Sequence, residues 1–417
     1  MKRLAGFSPA SFAWLGASLC ALLVVAGPAS ALWFAPPPAT TNPLNSVSFP
    51  RNTSVGYAVG GGGTILKTLN GGANWGFQTS HTANTLYSVC FPSDASIGYA
   101  VGDAGTILKT QDGGANWFLQ PSNTTVSLNS VAFPHNASIG YAVGGGGTIL
   151  KTQNGGANWG FQTSRTVNTL YSVCFPRNAT TGYAVGDGGT ILRTTDGGAT
   201  WVPLISGTNQ DLTSVCFPRD ATTGYAVGDG GAILKTANGG ASWVLENAGT
   251  GNGFTSVFFP QDAATGYVVG ELGNIFKTQD GGATWFPQSF PDSLALNAVY
   301  FPVDASIGYA VGSGGAILKT TDGGSDLAAG PPVPGPAVAG IYYPVPPEPY
   351  PYIVLVPRPE PWPFTFYMGF YYDSWGRRVY IPRHRGWRWP PPRPHPPDFP
   401  PRGEPHPHQG PPHRRGR

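Results

Sequence analysis

The chain is predicted to be all-β, a seven-bladed β-propeller, and three observations carry that reading. A 42-residue unit recurs seven times without insertion. Its opening string, Leu-x-Ser-Val-x-Phe-Pro with small variations, starts at Leu44, Leu86, Leu128, Leu170, Leu212, Phe254 and Leu296. Each unit divides into four short β segments, the spacing of a propeller blade. A tryptophan closes each pattern at the same interval, and its register points to how the ring is shut.

The first segment is Leu-x-Ser-Val-x-Phe, stopped by proline, which has no N–H for a sheet ladder. The second is Gly56-Tyr-Ala-Val-Gly60 and its counterparts. The third is Thr64-Ile-Leu-Lys-Thr68, and the fourth begins at Trp75. Aliphatic, aromatic and Thr residues fill the segments, while Gly, Pro, Asn and Asp fill the gaps. Five glycine positions recur in all seven units, those of Gly56, Gly60, Gly63, Gly71 and Gly72. They account for 35 of the 60 glycines. The chain also holds 43 prolines. A helical fold is excluded, since Gly and Pro cost a helix about 1 and about 3 kcal/mol relative to Ala. Collagen is excluded by the missing Gly-X-Y period.

The blade tryptophans are Trp75, Trp117, Trp159, Trp201, Trp243 and Trp285. The next slot holds Leu327, where the pattern is already lost. One step back from Trp75 lies Trp33. The N-terminal stretch from Leu32 to Ala35 is therefore expected to supply the last blade's outer strand and remove its open edge. A solenoid would need atypical capping repeats, and none is visible.

The N-terminus reads as a secretory signal. Lys2 and Arg3 precede an apolar stretch from Phe12 to Val25, and Ala29-Ser30-Ala31 is a small-residue cleavage motif. The expected organisation is a signal peptide over 1–31, a propeller over 32–330 and a Pro/Arg/aromatic-rich tail over 331–417. The mature protein is expected to be secreted or periplasmic. Cys90, Cys174 and Cys216 share one repeat slot with Ser48, Ala132, Phe258 and Tyr300. A slot so tolerant is a packing position. Pairing of Cys174 with Cys216 is left open.

The turn before the fourth strand reads Thr68-Leu-Asn70-Gly-Gly-Ala-Asn-Trp75, or Thr194-Thr-Asp196-Gly-Gly-Ala-Thr-Trp201. It resembles the Asp-box, or bacterial neuraminidase repeat. The Asp position holds Asn70, Asp112, Asn154, Asp196, Asn238, Asp280 and Asp322. An amide or a carboxylate can accept backbone N–H bonds and hold the turn, whereas a general base could not be Asn. The longer string, Tyr-Ala-Val-Gly-x-x-Gly-Thr-Ile-Leu-Lys/Arg-Thr-x-Asp-Gly-Gly-x-x-Trp, resembles the propellers that include the photosystem II stability and assembly factors. The resemblance covers roughly residues 32–324. It implies a propeller without catalysis or cofactor, with the Asp-box as a folding element away from the ligand face.

Residues 32–330 carry 16 acidic against 11 basic side chains. Seven of the bases sit at one slot: Lys67, Lys109, Lys151, Arg193, Lys235, Lys277 and Lys319. A ring of Asn and Asp follows the proline, from Asn52 to Asp304. Both rings are expected to make local ion pairs and turn hydrogen bonds. The turn between second and third strands is less uniform. Asp187, Asp229 and Glu271 fall there in adjacent blades, on the opposite face. With Glu246 in a blade connection they are the expected binding surface, for a cation or a basic segment. A sialidase-like enzyme would need an arginine cluster and carboxylates on inserted loops, and no loop exceeds its siblings.

The tail holds 26 prolines, 11 Arg, no Lys and 5 acidic residues. It is expected to be mostly disordered, with a small hairpin turning at Asp373-Ser-Trp-Gly376 and an aromatic and Arg island suited to an anionic surface. The sequence thus points to a non-catalytic, protein-binding or assembly scaffold in the bacterial envelope, a monomer with a protein or envelope-polymer partner and no nucleic acid. A glycan-binding or glycoside-cleaving Asp-box propeller is the alternative.

Overall fold

The computed structural model describes residues 33–324, apart from 51, 135, 177–179, 289 and 291, and two short strands further on. The predicted signal peptide and the expected disorder of the tail lie outside the described residues. The chain divides into two units, Met1–Pro332 and Val333–Arg417. In the second, Phe370–Tyr372 and Arg378–Tyr380 pair antiparallel on either side of the predicted turn. Among the described residues no helix is long and apolar enough to cross a membrane.

The first unit is a seven-bladed all-β propeller. Six sheets have four antiparallel strands and the seventh has three. In the first blade the strands are Leu44–Ser48, Gly56–Gly60, Ile65–Thr68 and Gly76–Gln78. The second strand is buried along its whole length in every blade, because it is covered by blades on both sides. The first strands line the centre. Ser46 Oγ accepts the Val89 N–H of the next blade at 3.2 Å, and the same bond recurs to the Ser256 and Val299 pair. Ala298 stands in that slot in blade 7, and Asn297 Nδ2 donates to the Leu44 carbonyl at 2.9 Å across the last seam, as Asn45 and Asn129 do to the Leu86 and Leu170 carbonyls at theirs.

The core between blades is an aromatic triad. Tyr57 stacks on Phe91 of the next blade at 3.9 Å, and Phe91 meets Trp117 edge-on at 6.1 Å. Such pairs add roughly 0.5–1.5 kcal/mol beyond the area they bury. The seventh triad is Tyr267, Phe301 and Trp33, with Trp33 edge-on to Phe301 at 6.0 Å and 1% exposed. Beside it, Phe34 N–H donates to the Lys319 carbonyl and Lys319 N–H donates to the Phe34 carbonyl, both at 2.9 Å. The N-terminal stretch therefore closes blade 7 as the tryptophan register predicts.

The Asp-box turn is built in the same way with either residue. Asn70 Oδ1 accepts from Thr68 Oγ1 at 3.0 Å and from Asn74 N–H at 2.9 Å, and Asp196 accepts from Thr194 Oγ1 and Thr200 N–H at 2.8 and 2.9 Å. In Asp112 and Asp196 a second oxygen takes the Asn116 amide or the Thr200 hydroxyl. These side-chain bonds, then the backbone N–H bonds, hold the carboxyls down at about 2. A depressed acid contributes stability above its unfolded pKa of about 3.9, and that contribution is lost as pH falls towards the folded value. Melting curves from pH 5 to pH 2 are thus expected to fall less steeply for the Asp112→Asn, Asp196→Asn double variant. Equal slopes would contradict this account of the box.

The seven-base ring is used inside the fold. Lys67 Nζ donates to the Gly113 carbonyl, in the Asp-box of the next blade, at 2.6 Å and lies over Tyr57 at 5.6 Å. Lys109, Lys151, Lys277 and Lys319 make the equivalent bond, the last to Gly71 across the ring closure. Lys277 is itself buried, and burial lowers its pKa. The ring after the proline forms turns, as where Asn52 Oδ1 accepts Ser54 and Val55 N–H groups. The expected turn hydrogen bonds are there, but the lysines serve carbonyls of the neighbouring blade rather than that ring.

Cys90, Cys174 and Cys216 are free. Burial pushes the thiols of Cys90 and Cys174 up to about 11 and Cys216 to about 12. Unreactive thiols suit a packing slot, and the open pairing of Cys174 with Cys216 resolves as two separate thiols.

Candidate functional site

The face opposite the Asp-boxes is made of the turns between second and third strands and the connections between blades. They are tied together: Asn84 Nδ2 donates to Thr106 Oγ1 at 2.9 Å, as Asn168 does to Thr190 at 2.8 Å. Each first strand carries a bulge, as between Leu170 and Ser172. A bulge re-aims the extra residue, here Asn45, Tyr87, Asn129, Tyr171, Thr213, Thr255 or Asn297. The short ones bond the next blade's backbone, as Thr213 Oγ1 does to the Phe254 carbonyl at 2.6 Å. The two tyrosines instead reach the turn acids. Tyr87 Oη donates to Asp103 Oδ1 at 2.8 Å, and Tyr171 bonds Asp187.

Three of the four predicted binding residues come together here. Asp187 Oδ2 accepts the Thr169 N–H at 2.9 Å, and Glu271 Oε2 accepts the Gly253 N–H at 2.9 Å. Burial works against the Asp187 charge, but the bonds from Tyr171 and Thr169 outweigh it and hold its pKa below the usual range. Asp229 lies between, and burial, then Asp211 and Glu271, raise its pKa. Glu246 does not join them. It sits in the fourth strand, Val244–Asn247, opposite Ile233, and its charge is felt at Tyr225 instead.

Asp211 and Tyr171 complete the rim and were not among the expected residues. Asp211 Oδ1 accepts the Gly188 N–H at 2.7 Å. Its signal was asymmetry: the slot before the first strand holds Pro43, Thr85, Ser127, Thr169, Asp211, Gly253 and Ala295. Leu272 was missed likewise. It is 63% exposed beside Glu271 with φ 55°, where five other blades have Gly. A left-handed L-residue costs roughly 1–2 kcal/mol, partly offset by the entropy Gly loses on folding. Leu272→Gly is therefore expected to stabilise the propeller by about 0.5–1 kcal/mol in urea unfolding, while removing an exposed apolar contact. A destabilised variant would contradict this.

The same face has other exposed apolar residues on its connections, Val167 and Ile205. A cleft of about 450 Å³ there is lined by Arg165, Gly188, Pro203, Ile205 and Asn209 among others, with Arg165 left-handed at φ 61°. Among the described residues no three His, Cys, Asp or Glu side chains are grouped to hold a metal ion. The rim presents a row of carboxylates on a face that also carries exposed apolar side chains.

Six four-stranded blades, a seventh of three strands completed by the Phe34 bridge, an Asp-box turn on each blade and a blade-specific opposite face define a propeller of the bacterial neuraminidase repeat type. The family model described as photosynthesis system II assembly factor YCF48 matches residues 29–117, 77–164 and 161–248. The chain belongs to that family. No curated protein matches it. Among solved structures, "YCF48 bound to D1 peptide" is 22% identical with a TM-score of 0.58, over 71% of this chain and 99% of that one. YCF48 from Cyanidioschyzon merolae is 22% identical with a TM-score of 0.60, over 70% and 99%. The GH74 enzyme of Niastella koreensis is 16% identical with a TM-score of 0.59, over 71% of this chain but 54% of the enzyme. At these identities the likeness is one of fold.

Proposed function

We infer that the protein is an exported, non-catalytic scaffold that binds an extended basic segment of a protein partner on the acidic rim of blades 4 to 6. The observation that carries this reading is the contrast between the two faces. The polar rings of the Asp-box face are engaged in the fold, the Asn and Asp residues in their own turns and the lysines on carbonyls of the next blade. The opposite face gathers Asp187, Asp211, Asp229 and Glu271, and it also carries the exposed Val167, Ile205 and Leu272. A family relative caught with a peptide supports a peptide partner. The Ala29-Ser30-Ala31 motif supports export.

The test is fluorescence anisotropy with a labelled Arg- and Lys-rich peptide. Binding is expected to weaken with salt, because exposed charges are screened within about 10 Å at 0.1 M. It is also expected to weaken about tenfold or more in an Asp229→Asn, Glu271→Gln variant, since each 1.4 kcal/mol lost is tenfold. Equal affinity in variant and wild type would overturn the assignment of the rim. Retention of envelope glycan alone, or release of sugar from it, would favour the glycoside reading instead.

A further inference from the structure

Asparagine followed by glycine is the dipeptide most prone to lose its amide, because glycine has no side chain to keep its nitrogen from the asparagine Cγ. The chain holds four such pairs, at Asn70, Asn154, Asn238 and Asn252. Three are Asp-box residues, and the fold guards them. Their Oδ1 atoms accept from a threonine hydroxyl and from a backbone N–H. The N–H groups of Gly71, Gly155 and Gly239 donate to the carbonyls of Ser54, Ser138 and Thr222, each at 2.8 Å. A carbonyl holds such a proton but does not take it away.

The fourth pair lies on the opposite face, in the connection that enters blade 6, and is held differently. Gly253 N–H donates to Glu271 Oε2 at 2.9 Å. A carboxylate at that distance is within reach to act as a general base. The Asn252 amide is also loose. In blades 1, 2 and 4 the equivalent Asn42, Asn84 and Asn168 donate to Thr64, Thr106 and Thr190 of the turn. Blade 6 has Asn274 in that threonine slot, and Asn274 Nδ2 is buried without a partner. Asn252 N–H donates to Thr250 Oγ1 at 3.1 Å, but its side-chain amide makes no hydrogen bond among the described residues.

We propose that Asn252 is a self-modification site, at which Glu271 acts as general base and the amide is converted into a carboxylate. Glu271 takes the Gly253 N–H proton as that nitrogen bonds to Asn252 Cγ. The Cγ–Nδ2 bond then breaks, and ammonia leaves with the proton returned from Glu271, closing a five-membered imide. Water opens either C–N bond of the ring, giving aspartate or isoaspartate. One water is consumed and one ammonia released, with no oxidant or reductant. Asp229 and Glu271 both border Gly253, so either product adds a carboxylate to the acidic rim. That the rim takes a basic segment rests on the proposed function; the chemistry at Asn252 does not.

The test holds the folded full chain at neutral pH and samples it over weeks. Proteolysis and fragment mass spectra locate each amide-to-acid conversion. Asn252 is expected to convert at least about tenfold faster than Asn70, Asn154 or Asn238, a modest share of what a positioned base supplies. In urea, where the fold no longer distinguishes them, the four sites are expected to convert at similar rates. Glu271→Gln keeps an acceptor for Gly253 but no base, and is expected to slow Asn252 by about tenfold or more. Asn274→Thr leaves Glu271 and Gly253 in place and restores the acceptor of blades 1, 2 and 4, so it is expected to slow Asn252 several-fold. Conversion of Asn252 no faster than the box asparagines in the folded chain, the same excess in urea, or an undiminished rate in Glu271→Gln would overturn the proposal. An unchanged rate in Asn274→Thr would overturn the part given to the loose amide.

Discussion

Trp33→Ala is expected to destabilise the mature propeller by about 3–5 kcal/mol, the range for truncating a buried Trp, and to lower its melting temperature by on the order of 10 °C. The residue does three things at once. It fills the last aromatic triad against Phe301 and Tyr267. It anchors Phe34, whose bonds to Lys319 supply the fourth edge of blade 7. It also keeps that blade joined to the start of the chain, so its loss opens a seam rather than a local cavity. Deleting residues 32–35 should cost at least as much. Trp33→Phe should recover part of the loss, because the edge-on contact survives while volume does not. A wild-type melting curve for the deletion would show that the ring holds without its N-terminal strand.

Gly228→Ala is expected to be nearly as damaging, at about 3 kcal/mol, for a reason invisible in its backbone angles. Gly228 is extended, with φ −175°, where any residue fits. The obstacle is contact: a methyl there would collide with the carbonyl oxygen of Asp211. That carbonyl accepts the Asp229 N–H at 3.0 Å, so nothing can move without disturbing the rim. The comparison is Gly146→Ala. Gly146 has φ 61° but open space around its Cα, so only the left-handed penalty of about 1–2 kcal/mol applies. Urea unfolding of both variants should rank Gly228→Ala as the worse, and only that variant should also weaken peptide binding. The reverse ranking would mean that backbone conformation, not close approach, explains this glycine.

The frame was legible because its residues repeat. Seven copies of one spacing reveal the blades, and Trp33 is found by arithmetic because nothing intervenes between it and Trp75. The same averaging hides the site. Asp211, Tyr171 and Leu272 occupy slots where the blades disagree, and disagreement reads as tolerance until the structure brings the odd residues together. The bulge after Leu170 is a second cause: one extra residue turns Tyr171 towards Asp187, and no alternation pattern displays it. Glu246 was placed with the rim because the boundary of its strand was not readable. Blade 5 extends its outer strand to Asn247, whereas blade 2 stops at Leu119. The lysine ring was expected to meet nearby acids. A carbonyl of the next blade, 46 residues on in sequence, is a contact only the closed ring creates.

The most direct test of the binding face is hydrogen exchange on the mature propeller with and without a saturating Arg- and Lys-rich peptide. The account predicts slowed exchange at residues 187–189, 211–213, 229–231 and 271–273, with the Asp-box turns unchanged. Protection confined to the Asp-box turns or the outer strands, with the rim untouched, would contradict it.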